Sequence, residues 1–303
     1  GFMGGGQIIG LSGTAIMSGA ALVAGGMALA ATLAAAVVVV LTIIVTLLRE
    51  RPGERFLPWT AGSASEECLA RSHTKFLPIL AQVLRGLVQW RTALFLAGVG
   101  FITSSVGMVD VVSPVFSVTE LGWSSEEFTN FSSFSLLITS LTVMLLIGPL
   151  CRSFDNRILF VVFASLMALP NLAANLAPEG TFGTLAMQAY IVVFWGGFAG
   201  LFVLFLSWLM NLTNPLVAAS QFSLFMAIPN FVRSLGSGGH GQIVDHYGYD
   251  VAFLVAAVSV GVGMMLCLLA GYGRLDTIRT PKRPEILSDP APLPGVPAGA
   301  AIT

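Results

Sequence analysis

Asp110 and Arg233 are the two residues of this sequence most suited to carry chemistry, because each lies inside a long run of apolar residues. Asp110 falls in the run 93–115 and Arg233 in the run 216–237. A charge within hydrocarbon costs about 2.5 to 3.5 kcal/mol on insertion scales, so it is a functional candidate by default. An aspartate there can gain and lose a proton, and a guanidinium can hold a carboxylate or phosphate.

The two charged residues lie at comparable depth in their apolar runs, in the half away from the basic loops described below. We therefore expect them to face each other across a bundle of helices. Two structural alternatives stay open. The residues can form an ion pair that only stabilises the fold, or Asp110 can lie close enough to the interface to be hydrated.

Uncharged polar residues form a second group of candidates, also inside apolar runs: Asn171, Asn175, the serines of 132–135, Gln188, Gln221 and Asn230. In a helical bundle such side chains more often join helices than contact a ligand. Pro229 precedes Asn230 and is expected to open the helix locally, which frees backbone groups near Arg233. Gly6–Gly10 and Gly196–Gly200 have the spacing that lets helices approach closely.

The spacing of cysteines and histidines predicts no metal site, no disulfide framework and no cofactor. Cys68, Cys151 and Cys267 lie far apart, without a Cys-x-x-Cys or Cys/His pattern. His240 and His246 fall between apolar runs, with Asp245 beside them. We expect both histidines to lie solvated in a loop.

The composition excludes several classes of protein. The chain has 303 residues, of which 14 are basic and 15 acidic, and 55% are hydrophobic. Its charged fraction of 10% compares with about 25% in soluble domains. Mean hydropathy is +0.87. Soluble enzymes and nucleic-acid-binding proteins are therefore excluded, and an all-α polytopic membrane protein is predicted.

Eight apolar runs approach the roughly 20 residues that a helix needs to cross a bilayer. The predicted spans are 7–26, 28–48, 93–115, 130–150, 158–177, 184–209, 216–237 and 251–272. The first two are separated at the pair Gly25–Gly26, since 48 residues without a charge are too long for one span.

The distribution of basic residues predicts the orientation. Seven lie between 49 and 91, two at Arg152 and Arg157, and four in the tail after 273. With the eight predicted spans, all of these residues fall on the same side of the membrane. The opposite loops carry only acidic residues: Glu120, Glu126, Glu127, Glu179, Asp245 and Asp250. Loops rich in lysine and arginine stay cytoplasmic. We therefore expect a multi-pass protein of the cell membrane with both termini in the cytoplasm.

The segment 49–92 is predicted to be a cytoplasmic linker that contains a helix over 76–90. Apolar residues recur there at helical spacing beside Lys75, Arg85 and Arg91, which is typical of a helix lying in the membrane interface. The alternative is a short soluble helix. The tail 274–303, rich in proline, alanine and glycine, is predicted to be disordered.

Two helices, a basic linker and six helices resemble part of the plan of the major facilitator superfamily. Several strings are similar to its AmpG-type muropeptide permeases, a branch that also resembles acetyl-coenzyme A transporters. The strongest is the string 211–236, which includes Ala-Ala-Ser-Gln-Phe-Ser-Leu (218–224) and Pro-Asn-Phe-Val-Arg (229–233); the others are 48–59 and 121–124. The chain departs from the pattern at Ser220, at Val232 and in the loop 148–157, where Arg152 and Ser153 replace the signature Asp-Arg.

The resemblance implies a major facilitator fold that is incomplete, with helices equivalent to 5–12 of 12. Residues 1–48 would end the N-terminal bundle, and 93–273 would form the C-terminal six-helix bundle. It implies a proton-coupled transporter, not an enzyme, for an amphipathic or anionic solute such as a muropeptide. Arg233 would hold the anionic group, and Asp110 would titrate. Asn230, Gln221 and Gln188 would form neutral hydrogen bonds with the substrate.

We expect a monomer whose partners are this solute, protons and the lipid bilayer, and no nucleic acid. Two other functions stay open. One is a membrane scaffold or regulator that does not transport, in line with the altered loop 148–157. The other is a membrane-embedded transferase. It would need a cluster of acidic or histidine residues, and Glu126–Glu127 is the nearest to one.

Overall fold

The computed structural model describes residues 2–47, 62, 76–177, 180–213 and 218–271, and every regular element in these ranges is a helix. The predicted disordered tail 274–303 and most of the predicted linker 49–92 lie outside the described residues. The helices are α1 (Phe2–Leu47), α2 (Phe76–Val88), α3 (Trp90–Thr119), α4 (Ser125–Ser153), α5 (Asn156–Leu176), α6 (Thr184–Leu212) and α7 (Ala218–Leu269).

Six helical stretches in the described part of the chain are long and apolar enough to cross a membrane. Four are the whole of α3, α4, α5 and α6; the other two are Ala24–Leu47 within α1 and Ser220–Leu269 within α7. The chain is therefore consistent with a multi-pass helical membrane protein, as its composition predicts.

Glycines interrupt α1 and α7. Gly26 has φ 71° and ψ −169°, and Gly248 has φ 82° and ψ 174°. Both φ values lie in the left-handed region that favours glycine. The break in α1 lies at the predicted Gly25–Gly26 pair. The break in α7 lies eleven residues beyond the predicted end of a span at 237.

The predicted outer loop around 238–250 is wrong, because α7 stays helical up to Gly248. Gly238, Gly239 and Gly241 favoured the loop, since each glycine costs a helix about 1 kcal/mol relative to alanine. In the structure a Cβ at any of the three would have nothing within 4 Å. Buried residues on other faces of α7, such as Gly236 and His240, hold this turn against its neighbours.

The most extensive contact between described helices joins α3 to α7, and it involves both halves of α7. A Cβ at Gly107 would overlap the carbonyl oxygen of Arg233, and a Cβ at Gly236 would overlap that of Ser104. Gly98 and Gly263 face each other in the same way, with a Cβ at Gly98 only 2.7 Å from the carbonyl oxygen of Gly263. Glycine is thus required at these contacts for the backbones to approach.

Hydrogen bonds fix the direction of both halves of α7 along α3. Thr103 Oγ1 donates to the carbonyl of Pro229 at 3.0 Å, and Ser237 Oγ donates to that of Gly107 at 2.9 Å. From the first pair to the second the residue number rises in both helices, so the first half of α7 runs parallel to α3. Ser259 Oγ donates to the carbonyl of Phe101 at 2.9 Å. Beyond it, Cys267 Sγ approaches the carbonyl of Phe95 at 3.8 Å, so the second half runs antiparallel.

Apart from Asp110 and Arg233, the charged residues of the described bundle lie at its two ends. One end carries Arg85, Arg91, Arg152 and Arg157 with a single carboxylate, Asp155, which caps α5. The opposite end carries carboxylates and, among the described residues, no lysine or arginine: Glu120, Glu126, Glu127, Asp245 and Asp250. The acidic end follows the pattern that the loops predict.

The first half of α1 packs on α4, where a Cβ at Gly19 would lie 3.1 Å from the methyl group of Thr129. None of the residues 24–47 in the second half is buried. Near the basic end, a single residue, Gln89, separates α2 from α3, and α2 presents the buried Val83 and Gly86 to its neighbours.

Asn171 and Tyr190 form a buried polar pair between α5 and α6. The Tyr190 hydroxyl donates to Asn171 Oδ1 at 2.9 Å, and Asn171 Nδ2 donates to the carbonyl of Met167 at 2.8 Å. Tyr190 is 3% exposed and Asn171 is fully buried. The pair joins two helices, which is the structural role weighed for such residues.

We expect Tyr190→Phe to lower the free energy of unfolding by about 1 kcal/mol, because Asn171 Oδ1 would lose its donor in an apolar interior. The thermal unfolding midpoint in detergent measures this. Tyr247→Phe is the matched control, since Tyr247 is 71% exposed. Equal midpoints for the two variants would show that the buried bond contributes nothing.

Candidate functional site

Asp110 and Arg233 form an ion pair between α3 and the first half of α7. Nε and Nη2 of Arg233 both donate to Oδ2 of Asp110, at 2.9 and 2.6 Å. The Arg233 and Asp110 side chains are 29% and 30% exposed. The structure therefore brings together the two residues that the sequence expects to face each other.

The backbone near Arg233 explains how the pair is positioned. Gly107 lets the backbone of α7 touch α3 at Arg233 itself. Asp110 lies about one turn further along α3, and the arginine side chain reaches it there. Pro229, one turn before Arg233, has no N–H to donate within the helix, and its carbonyl accepts from Thr103. A small residue and a cross-helix bond thus hold the guanidinium beside the carboxylate.

Two cavities adjoin this ion pair. The smaller, about 180 Å³, lies between α3, α4, α6 and α7 and is lined by Asp110, Ser113, Phe128, Ser132, Ser133, Leu136, Trp195 and Arg233. The larger, about 320 Å³, is lined by Gly10, Thr14, Thr103, Phe198, Phe202, Phe205, Met226, Pro229, Asn230 and Arg233. Arg233 is the residue that lines both.

The walls of the two cavities differ in chemistry. The smaller one is lined by Ser113, Ser132 and Ser133 as well as by the ion pair. The hydroxyls of Ser113 and Ser132 donate to the carbonyls of Val109 and Thr129 in their own helices. The larger one combines a wall of phenylalanines from α6 with polar side chains from α1, α3 and α7. Such a cavity, mostly apolar with a few polar groups and one cation, fits an amphipathic anion.

The structure places the other predicted residues differently. Asn230 lines the larger cavity, and its Nδ2 donates to the carbonyl of Met226 at 2.9 Å. Gln221 is buried at the basic end of α7, where it contacts Gly86 of α2. That is twelve residues, or about 18 Å of helix, from Arg233. Gln188 is half-buried on α6 and lines neither cavity. The site thus contains Asp110, Arg233 and Asn230.

His240 is a buried titratable residue that the sequence places wrongly in a solvated loop. It is 1% exposed on α7, and its Nδ1 has no hydrogen-bond partner among the described residues. Its position, four residues after the buried Gly236, continues the buried face of α7. That helical spacing is the signal that could have found it, but the neighbouring glycines obscured it. His246 is exposed, as predicted.

Within the described ranges, no group of three His, Cys, Asp or Glu side chains lies close enough to hold a metal ion. Cys151 is exposed, Cys267 is buried and both are free thiols; Cys68 lies outside the described residues. The chemistry of the site therefore resides in one carboxylate, one guanidinium and neutral polar groups.

Comparison of the chain with protein-family models, with curated proteins and with solved structures finds no match in any of the three.

Proposed function

We propose that this chain is the part of a proton-coupled secondary transporter that corresponds to helices 5–12 of a major facilitator. The observation that carries the proposal is the ion pair of Asp110 and Arg233 between two cavities of an apolar helical bundle. Ionisable residues in the interior of a membrane bundle are typical of substrate and proton pathways. Counting α1 and α7 as two spans each, because of their glycine breaks, gives the eight helices of this proposal.

In the proposed mechanism, the substrate anion competes with Asp110 for Arg233, and a proton binds to Asp110 when the anion displaces it. A carboxylate or phosphate in the larger cavity binds the guanidinium of Arg233 in place of Asp110. Asp110, released from its partner, takes up a proton, because an unpaired carboxylate in this apolar site favours its neutral form. Asn230 donates a hydrogen bond to the substrate, and the phenylalanines of α6 cover its apolar part. Return of Asp110 to Arg233 releases both proton and substrate.

The substrate class in this proposal is an amphipathic anion such as a muropeptide, on the resemblance of 218–233 to the AmpG-type permeases. The proposed location is the cell membrane, with both termini in the cytoplasm. The separation of arginines and carboxylates to opposite ends of the described bundle supports this orientation, since cytoplasmic loops carry the basic residues.

The experiment is uptake of labelled muropeptide into proteoliposomes under an inward proton gradient. We expect uptake by a protein that supplies all twelve helices, and at least a tenfold loss with Arg233→Ala. Asp245→Asn, which removes an exposed charge on α7, is the control and should transport normally. Normal uptake by Arg233→Ala would contradict the proposed role of Arg233.

The 303-residue chain alone is expected to show no uptake, because one wall of the proposed cavity would face lipid. Proton-coupled uptake by this chain alone would contradict the twelve-helix proposal. A non-transporting scaffold is the second candidate. It is favoured by Arg152 and Ser153 in the signature loop, and it predicts no uptake from any form of the protein.

A further inference from the structure

A groove of about 630 Å³ lies between α3 and the two halves of α7. It is distinct from the candidate site. Val232 lines the groove, whereas the next residue, Arg233, lines the two cavities at the ion pair. Successive residues of a helix point about 100° apart, so the groove lies on another side of α7.

The wall of the groove is apolar. It consists of alanine, valine, leucine, isoleucine, methionine and phenylalanine side chains, together with Gly100 and two serines. One of them, Ser259, already donates its hydroxyl to the carbonyl of Phe101. An occupant of this groove therefore gains contact area rather than hydrogen bonds.

The groove is long and open on one side. Its lining on α3 runs from Ala93 to Met108, which is about 22 Å of helix. Half of a bilayer's hydrocarbon core is about 15 Å thick. Phe101 and Val258 on its walls remain 45% and 55% exposed. The groove is thus long enough for one lipid acyl chain and open for its lateral entry.

Basic residues lie at one end of the groove. Leu87 of α2 forms part of the lining there. Arg85 and Arg91 are exposed and lie within one helical turn of Leu87 and Ala93, on other faces of α2 and α3, from which their long side chains can extend along the membrane interface. Trp90 lies beside them and is 65% exposed, as tryptophans at a membrane interface are. No acidic residue occurs between positions 76 and 109. This end of the groove therefore favours an anionic group.

We propose that the groove binds one acyl chain of an anionic phospholipid whose headgroup is held by Arg85 and Arg91. The apolar, laterally open wall suits the chain, and the two arginines suit the phosphate. In a dimer with its two-fold axis along the membrane normal, the basic ends of the two grooves would lie side by side. Arg85 and Arg91 of one copy would then repel those of the other. The charge pattern therefore favours lipid over a symmetric dimer at this groove.

Native mass spectrometry of the purified protein, equilibrated with equal phosphatidylglycerol and phosphatidylcholine in detergent, tests the proposal. We expect one phosphatidylglycerol to be retained preferentially. Arg85→Gln and Arg91→Gln should each lower that preference about fivefold, which corresponds to about 1 kcal/mol per basic residue near anionic lipid. Arg152→Gln, at an exposed arginine away from the groove, is the control and should leave the preference unchanged.

Filling the groove tests the acyl chain separately. Ala97→Phe and Val258→Phe narrow the groove from opposite walls and should each abolish retention of the bound lipid. Leu145→Phe, at a residue 71% exposed on α4, is the control. A single symmetric peak in size-exclusion chromatography shows that a variant is folded. If one of the two groove-filling variants does not fold, the other still tests whether the acyl chain occupies the groove.

Three results would overturn the proposal. The first is equal retention of both lipids by the unaltered protein. The second is loss of retention in the arginine variants but not in the folded groove-filling variants, which would place the lipid outside the groove. The third is a change of oligomeric state, rather than of lipid retention, on filling the groove, which would make it a contact between copies.

Discussion

Replacing Asp110 with asparagine is expected to lower the free energy of unfolding by about 2 to 3 kcal/mol, because Arg233 would be left as an unpaired cation inside the bundle. Arg233→Gln should cost a similar amount by leaving the carboxylate alone. Removing one partner of a fully buried pair costs about 3 to 5 kcal/mol. We place this pair below that range because its side chains keep 29% and 30% exposure.

The double variant Asp110→Asn with Arg233→Gln should be more stable than either single variant, since neither charge is then left unpaired. Thermal unfolding in detergent, followed by tryptophan fluorescence, measures the four proteins. Asp245→Asn, at an exposed carboxylate of α7, is the control and should have no effect. If the two single effects simply add in the double variant, the two side chains are not coupled.

The exchange Asp110→Arg with Arg233→Asp distinguishes a structural pair from a functional one. It keeps one charge of each sign at the contact, so most of the stability should return. The cation would then lie on α3, away from Asn230 and the larger cavity, so uptake should stay at least tenfold low. Normal uptake by a stable exchanged variant would show that the pair only holds the fold together.

The second large effect is expected from Gly107→Ala, although it adds a single methyl group. The new Cβ would overlap the carbonyl oxygen of Arg233, and a backbone atom inside a helix cannot move aside alone. The two helices must separate, at a cost of about 3 kcal/mol, the upper part of the usual range for overpacking. The ion pair would separate with them. Gly236→Ala should act alike, through the carbonyl oxygen of Ser104.

Gly261→Ala and Gly238→Ala are the matched controls for these glycine variants. Both glycines lie in α7, and a Cβ there would have nothing within 4 Å. Alanine favours a helix over glycine by about 1 kcal/mol, so these variants should be as stable as the original protein or slightly more stable. A Gly107→Ala protein as stable as Gly261→Ala would mean that α3 and α7 are not in close contact.

The sequence predicts the apolar helices and the meeting of Asp110 with Arg233, because both depend on local properties. A run of apolar residues is visible in the sequence itself. The depth of a charged residue in the membrane follows from the number of residues between it and the end of the run. The break at Gly26 was predicted in the same way. The close contacts of Gly98 with Gly263 and of Gly107 with Arg233 were not, since they join distant segments whose register no local pattern defines.

Other predictions depended on which face of a helix a residue occupies. Gln221 and Gln188 lie in apolar runs, as Asn230 does, but the structure places only Asn230 at a cavity beside Arg233. The predicted close spacing at Gly196–Gly200 is realised in part. A Cβ at Gly200 would overlap the ring of Phe163, whereas one at Gly196 would meet Thr139 at an ordinary 3.8 Å. Spacing identifies small residues, and packing decides which of them are in contact.

The glycine contacts leave no space between the backbones of α3 and α7, and both members of the ion pair lie on these two helices. In the proposed transporter we therefore expect the larger cavity to open by displacement of α1 or α6, and not by separation of the backbones that carry Asp110 and Arg233. The exchange of partner by the guanidinium then requires only rotation about side-chain bonds. Such rotations take picoseconds to nanoseconds, against microseconds or longer for collective helix movements. In the proposed transporter, recognition of the anion would equilibrate many times within each slow conformational step.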